Sequence, residues 1–238
     1  MSKPVAPAFD PADAGPWFLG LLILAAVAFW PSYLSQLGAS TAYTHLHAFT
    51  ATLWILMLIA QPVAVRTRRM SLHRALGRAS YAVVPVVLLS VILLAHSRIA
   101  GLEGGAFAGQ SYLLYMQVSL AAMFGLCYAL ALLNRRNMAV HARFMICTAF
   151  TLIDPIVVRL LLRADPTPDW NYQWLTFALT DLVILGLVWL ERNARGGRWV
   201  FPVMLPVFVL SQAPPLLGLT GTRWWQAFAR WFAGLPLT

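Results

Sequence analysis

Long apolar runs alternate with short polar connections along most of the chain. Seven runs reach about 20 largely apolar residues, the length at which a helix spans a bilayer. They are 17–36, 43–65, 75–98, 111–133, 143–163, 173–191 and 199–218. The pattern predicts an all-α, polytopic membrane helical bundle, preceded by a polar tail at 1–16. The seventh run holds Pro202, Pro206, Pro214 and Pro215, which predicts a kinked or partly re-entrant segment. Beyond it Trp224, Phe228, Trp231 and Leu235 recur at spacings of three and four, flanked by Arg223 and Arg230. That periodicity predicts an interfacial amphipathic helix within 219–238, lying on the membrane or offering a face to a protein partner.

The connections set an orientation. Segments 66–74 (RTRRMSLHR), 134–142 (NRRNMAVHA) and 192–198 (RNARGGR) are basic, whereas 37–42, 99–110 and 164–172 are polar, acidic or glycine-rich. Basic loops stay in the cytoplasm. The N-terminus is therefore expected inside and the C-terminus outside. Trp17, Trp30, Trp170, Trp174, Trp189 and Trp199 fall near span ends, as an aromatic belt requires.

Composition strengthens this reading. Hydrophobic residues make up 60% of the chain and charged residues 11%, against roughly a quarter charged in a soluble domain. So few charges do not cover a water-facing surface, and the lipid bilayer is the main partner. A net charge of +9 would suit nucleic acid, but the arginines cluster between apolar runs, so no nucleic-acid partner is expected. Lys3 is the sole lysine, which excludes a retinal-type Schiff base inside the bundle. Cys127 and Cys147 lie in apolar runs and read as buried thiols. Met1 to Pro16 lacks the basic start and cleavage site of a signal peptide, so the first run is expected to be an uncleaved anchor. No nucleotide loop or nucleophile elbow is present.

Candidate chemistry lies in the ionisable groups within the runs, which cost several kcal/mol in lipid unless paired or facing a cavity. The five histidines form two layers: His45, His47 and His96 towards the outer face, His73 and His141 towards the inner one. Asp154 and Asp181 fall at a common depth, roughly 12 Å below the outer surface at a 1.5 Å rise per residue. Gln117 is slightly shallower. Arg159, one turn and a residue beyond Asp154, is a charge partner for it, and Pro155 opens the helix beside it. The alternatives are plain ones. End-of-span histidines such as His45 and His73 snorkel to headgroups, and Asp154 with Arg159 fits a structural ion pair. The inner arginines, Arg74 and Arg78 among them, follow from the positive-inside rule, yet beside two histidines they also suit haem propionates or an anionic headgroup.

Two resemblances rest on these residues. His73-Arg74-Ala75-Leu76-Gly77-Arg78, followed by His141-Ala142-Arg143-Phe144-Met145, resembles a family of bacterial multi-spanning membrane proteins with HRxLGR and HxRxM motifs, over residues 45–163. That family has no settled activity; it implies the fold and a bacterial cytoplasmic (inner) membrane, with the C-terminus in the periplasm. More loosely, the histidine layers are similar to those of two-haem b-type membrane cytochromes. This likeness implies haem b held by His73 with His141 inside and by His47 with His96 outside, in an electron carrier exchanging electrons with quinone. Two other readings stay open. One is a metal-dependent enzyme with zinc or iron on His47, His96, Asp154 and Asp181, acting on a lipid or isoprenoid substrate. The other is a non-catalytic relay, transport or accessory subunit built on Asp154, Arg159, Asp181 and Gln117.

Overall fold

A computed structural model of the chain describes residues 9–165 and 171–238. Half of the polar tail, residues 1–8 with Lys3, and Trp170 lie outside the described residues. The described residues form helices and turns, with no strand among them. The helices are α1 (Gly15–Phe29), α2 (Ala42–Arg66), α3 (Met70–Ile99), α4 (Gly104–Leu133), α5 (Met138–Phe150), α6 (Ile153–Ala164), α7 (Gln173–Leu190), α8 (Val200–Leu216) and α9 (Arg223–Ala233).

Six stretches are long and apolar enough to cross a membrane: α1 with its leading turn, α2, α3, α4, α5 and α6 together, and α7. The seventh run forms α8, which continues as one helix through Pro206, Pro214 and Pro215. Its 17 residues span roughly 26 Å at 1.5 Å per residue. Boundaries shift where turn chemistry intervenes. The first run stops at Phe29, because Pro31 cannot extend the ladder and a 3-10 turn at Leu34–Ala39 follows. Helices α3 and α4 begin at Met70 and Gly104, ahead of the expected 75 and 111. The turn joining them uses Gly101 at φ +74° and Gly104 at φ +59°, conformations that favour glycine.

Helices α1, α2, α3, α4, α8, α7 and α6 neighbour one another in that order and close into a ring, since α6 returns to α1. Helix α5 packs against α2, α4 and α8 inside that ring, and Val140, Arg143, Phe144 and every residue from Ile146 to Phe150 are buried. The broken fifth span is thus central in one half and peripheral in the other. The end where Asp13 meets Arg66 at 2.6 Å and Arg143 meets Glu191 at 2.6 Å carries the arginine-rich connections and is termed lower. At the upper end, α9 lies across α3 and α4.

Trp54 anchors the middle of the core at 1% exposure, edge-on to Phe124 and Tyr128 at 5.1 and 5.7 Å between ring centres. The outside is equally apolar. Leu182, Leu210, Leu217 and Leu133 are 62, 71, 71 and 80% exposed. A water-soluble monomer rarely leaves such a surface bare. Cys127 and Cys147 are buried and unbonded, as expected of thiols in apolar runs.

A buried ion pair closes the lower end. Arg143 Nε donates to Glu191 Oε2, their side chains 5% and 0% exposed, and Arg143 Nη1 donates to the Ala139 carbonyl at 2.6 Å. Gly197 sits against the same point at φ +72°; a Cβ there would stand 2.8 Å from the Ala139 oxygen and 2.9 Å from Arg143 Nη1. The connection between α7 and α8 is therefore bolted over the start of α5. Breaking a buried pair strands a charge and costs about 3–5 kcal/mol, whereas replacing both partners by apolar groups is often neutral. Arg143→Met and Glu191→Leu should each lower the melting temperature of the purified protein sharply, and the double variant should recover most of the loss. Gly197→Ala should also lower it, through backbone strain and the clash with Ala139.

Candidate functional site

The upper-half site begins with a missing donor. Pro155 has no N–H, so the Thr151 carbonyl lacks its partner four residues on. Helix α5 ends at Phe150 and α6 begins at Ile153. Two threonines bond back within the break: Thr148 Oγ1 donates to the Met145 carbonyl at 2.6 Å, and Thr151 Oγ1 to the Thr148 carbonyl at 2.8 Å. The break places Asp154 in the first turn of α6, where free N–H groups favour negative charge.

Asp154 is 6% exposed. Its Oδ1 accepts hydrogen bonds from Gln173 Nε2 and Thr176 Oγ1, both on α7. The buried Tyr112 hydroxyl lies within electrostatic reach of Asp154 and beside Asn171. On its other side Asp154 borders a cavity of about 10 Å³, close to what one water needs. Ser119, Thr180, Ser211 and Gln212 supply the polar part of the wall, and Phe150, Phe177 and Phe208 much of the rest. Gln212 also donates through Nε2 to Asp181 at 3.2 Å. The two carboxylates do not touch; Gln212 and the cavity join them.

Arg159 reaches Asp154 only through space. The ion pairs among the described residues are Arg66–Asp13 and Arg143–Glu191. Arg159 Nη1 instead donates to the Pro155 carbonyl at 2.7 Å, and its guanidinium lies 4.3 Å over the Phe29 ring. It remains exposed while sensing Asp154, Arg98 and His47 electrostatically.

The upper histidines separate. His47 Nδ1 bonds Ser90 Oγ at 3.1 Å, and Ser90 continues to Thr50 at 3.1 Å, a polar tie between α2 and α3. His45 Nδ1 bonds the Tyr33 hydroxyl at 2.9 Å. His96 is 1% exposed beneath α9: its Nδ1 meets Thr238 Oγ1 at 2.6 Å, its ring is edge-on to Phe232, and its Nε2 is buried without a hydrogen-bond partner. Gln117 Oε1 is likewise buried and unpartnered. Among the described residues no three of His, Cys, Asp and Glu stand together as a metal site, so His47, His96, Asp154 and Asp181 do not converge.

The lower histidines lie within electrostatic reach of each other. His141 Nδ1 lies 2.8 Å from the Ala131 carbonyl, which only accepts, so Nδ1 carries the proton and Nε2 is left free in the neutral ring. His73 senses both His141 and Arg74 electrostatically, and its Nδ1 is buried without a partner. Gln61 Oε1, on the α2 turn facing Gly77, is another unpartnered atom. Arg74 and Arg78 are exposed.

Sequence reasoning did not anticipate Gln173, Thr176, Gln212 or Tyr112 as partners of the carboxylates, nor Glu191 as the partner of Arg143. Sequence position offered a signal for three of them. Gln173, Thr176 and Thr180 follow one helical face, and Glu191 is the one acid adjoining a basic connection.

Comparison with known proteins yields nothing further: no family model matches the chain, and no curated protein or solved structure matches it significantly.

The hydrogen-bonding pattern around Asp154 separates two substitutions. Asn keeps an acceptor for Gln173 and Thr176, whereas Ala removes it and leaves Gln173 only Thr176 Oγ1 and Thr176 only the Gln173 carbonyl, a loss of about 1–3 kcal/mol together with the cavity created. Thermal melting should show Asp154→Ala clearly destabilised and Asp154→Asn close to wild type.

Proposed function

We propose that the chain is a seven-span protein of the bacterial cytoplasmic membrane that binds and relays protons at Asp154, as a transport or accessory subunit. The bare leucine surface supports the membrane placement, and so do two tryptophan girdles. Trp17, Trp189 and Trp199 are exposed towards the lower end, and Trp30, Trp174, Trp224 and Trp231 towards the upper end. The basic connections lie at the lower end, which assigns that end to the cytoplasm.

The observation that carries the relay is the setting of Asp154. It is a buried carboxylate at a helix break, held by two side-chain donors, with room for a water beside it and Gln212–Asp181 beyond. Ionisable groups at such depth in a bundle mark proton and ion pathways, and irregular backbone is tolerated there where it lines a cavity. Tyr112 and Asn171 lead from Asp154 towards the upper surface. Below it Phe150 packs against Phe201 and Phe208, a ring layer that must shift for a proton to cross.

A second reading, a b-type electron carrier serving quinone, draws on the lower pair. His73 and His141 lie within electrostatic reach of each other, the unpartnered His73 Nδ1 is a candidate ligand atom, and the exposed Arg74 and Arg78 on the His73 helix suit propionates, which supports haem b there. The upper pair adds little support. His47 is level with Ser90, while His96 is six residues further along α3, roughly 9 Å higher, and each has another partner.

Proteoliposomes containing a pH-sensitive dye separate the two readings. Under an imposed potential the wild type should pass protons above protein-free vesicles, Asp154→Asn should abolish the flux, and His73→Ala should retain it. Wild-type flux no greater than the vesicle background, or unaltered flux in Asp154→Asn, overturns the relay. A visible α-band in the purified protein that disappears in His73→Ala and His141→Ala establishes the haem reading instead.

A further inference from the structure

We infer that the groove under α9 is a binding site for one acyl chain of an anionic phospholipid. It goes beyond the relay and needs only the membrane placement. The groove, about 350 Å³, lies between α4, α8 and α9 and is lined by Tyr115, Pro214, Leu219, Trp224, Trp225 and Phe228, with Thr220 and Thr222 at its edge. That volume lies in the range of small-ligand sites.

Its walls are apolar because their polar atoms are already engaged elsewhere. The Tyr115 hydroxyl donates to the Ser211 carbonyl at 2.9 Å, and Trp225 Nε1 to the Ser111 carbonyl at 3.0 Å. Gln226, beside Trp225, gives its amide to Ser111 Oγ and the Thr220 carbonyl. The Thr222 hydroxyl is bound to the Leu219 carbonyl at 2.7 Å. Most of the polar atoms along these walls are thus engaged, and the rings of Tyr115, Trp225 and Phe228 present mainly apolar surface. A hydrocarbon chain loses nothing there and gains apolar contact along the aromatic side chains.

Charge selects the headgroup. Arg223 stands between Thr222 and Trp224 at the groove's edge, and Arg230 lies one face further along α9. From Leu217 to Thr238 the chain contains two arginines, Arg223 and Arg230, and no acid. A phosphate at the mouth meets a guanidinium with no competing carboxylate in that stretch. The surface around the mouth is continuous with the apolar exterior, since Leu216, Leu217 and Trp224 are 49, 71 and 89% exposed. A lipid enters sideways from the bilayer without crossing a polar barrier.

Native mass spectrometry of the full chain, delipidated and then offered phosphatidylglycerol or phosphatidylcholine of identical chains, tests the assignment. The wild type should retain one phosphatidylglycerol in several-fold preference to phosphatidylcholine. Arg223→Gln, an exposed substitution, should remove that preference. Leu219→Trp, which fills the groove, should lower retention of both lipids while melting like the wild type. If Leu219→Trp melts early, Thr222→Trp fills the same groove from its rim. Equal retention of the two lipids by the wild type, or full phosphatidylglycerol retention in a stable groove-filled variant, overturns the proposal. Proton flux through Asp154 is unaffected by any of these outcomes, so failure here is distinguishable from failure of the relay.

Discussion

The arrangement depends on a proline that cannot donate a hydrogen bond. Without an N–H at Pro155, the fifth span cannot run straight through Thr151, and α6 leaves the axis that α5 occupies. Two consequences follow from this one constraint. Helix α5 can be central and almost wholly buried, because only thirteen residues of it need company on all sides. Helix α6 can take a place in the ring between α1 and α7, carrying Asp154 on its inner turn and Arg159 towards the rim. A continuous helix would put Asp154 and Phe150 on one unbroken axis, with α1 and α7 left to close the ring alone.

Polar satisfaction is distributed unevenly. The Asp154 carboxylate and the Arg143–Glu191 pair are tightly held, as buried charge demands. Glu191 Oε1 is buried without a partner, and its carboxylate is compensated through Oε2. The other unpartnered buried atoms belong to Trp54, Gln61, His73, His96, Tyr112 and Gln117. The Arg143–Glu191 pair thus ties down the lower end, while atoms without a partner lie on His73 and His96 and, within electrostatic reach of Asp154, on Tyr112.

Much of this was legible in the chain. Run length and apolar composition gave the helices, because a span must satisfy its own backbone, and that leaves an unmistakable stretch of sequence. Pro155 marked the opening beside Asp154. Helix neighbourhood was not legible. His47 and His96 share a layer by depth, yet depth says nothing about azimuth, and their partners Ser90 and Thr238 come from elsewhere in the fold. Arg143 reads as one more cytoplasmic arginine until the connection after α7 folds back and supplies Glu191. Helix α9 showed the same ambiguity. Of its predicted face, Trp224, Phe228 and Trp231 are exposed, whereas Leu235 packs on the bundle together with Trp225, Ala229 and Phe232. Aromatic residues on both edges gave periodicity without indicating which edge was inward.

The two polar regions are kept apart by rings. Trp54 with Phe124 and Tyr128 fills the centre above the His73–His141 pair, and Phe150 with Phe201 and Phe208 lies directly beneath the Asp154 cavity. Aromatic side chains fill a bundle cross-section with few rotamers, so such a layer is dry and stiff. The layer thus stands between Asp154 above and the His73–His141 pair below. Tyr128 belongs to both the layer and the lower region, since its hydroxyl meets Ser80 Oγ at 2.7 Å. Any coupling between the halves must pass through residues of this kind, with a ring in the plug and a polar tip in one compartment. The break in the fifth span lies at the same level as the plug, so a shift of α6 that altered Asp154 would also disturb the packing of Phe150.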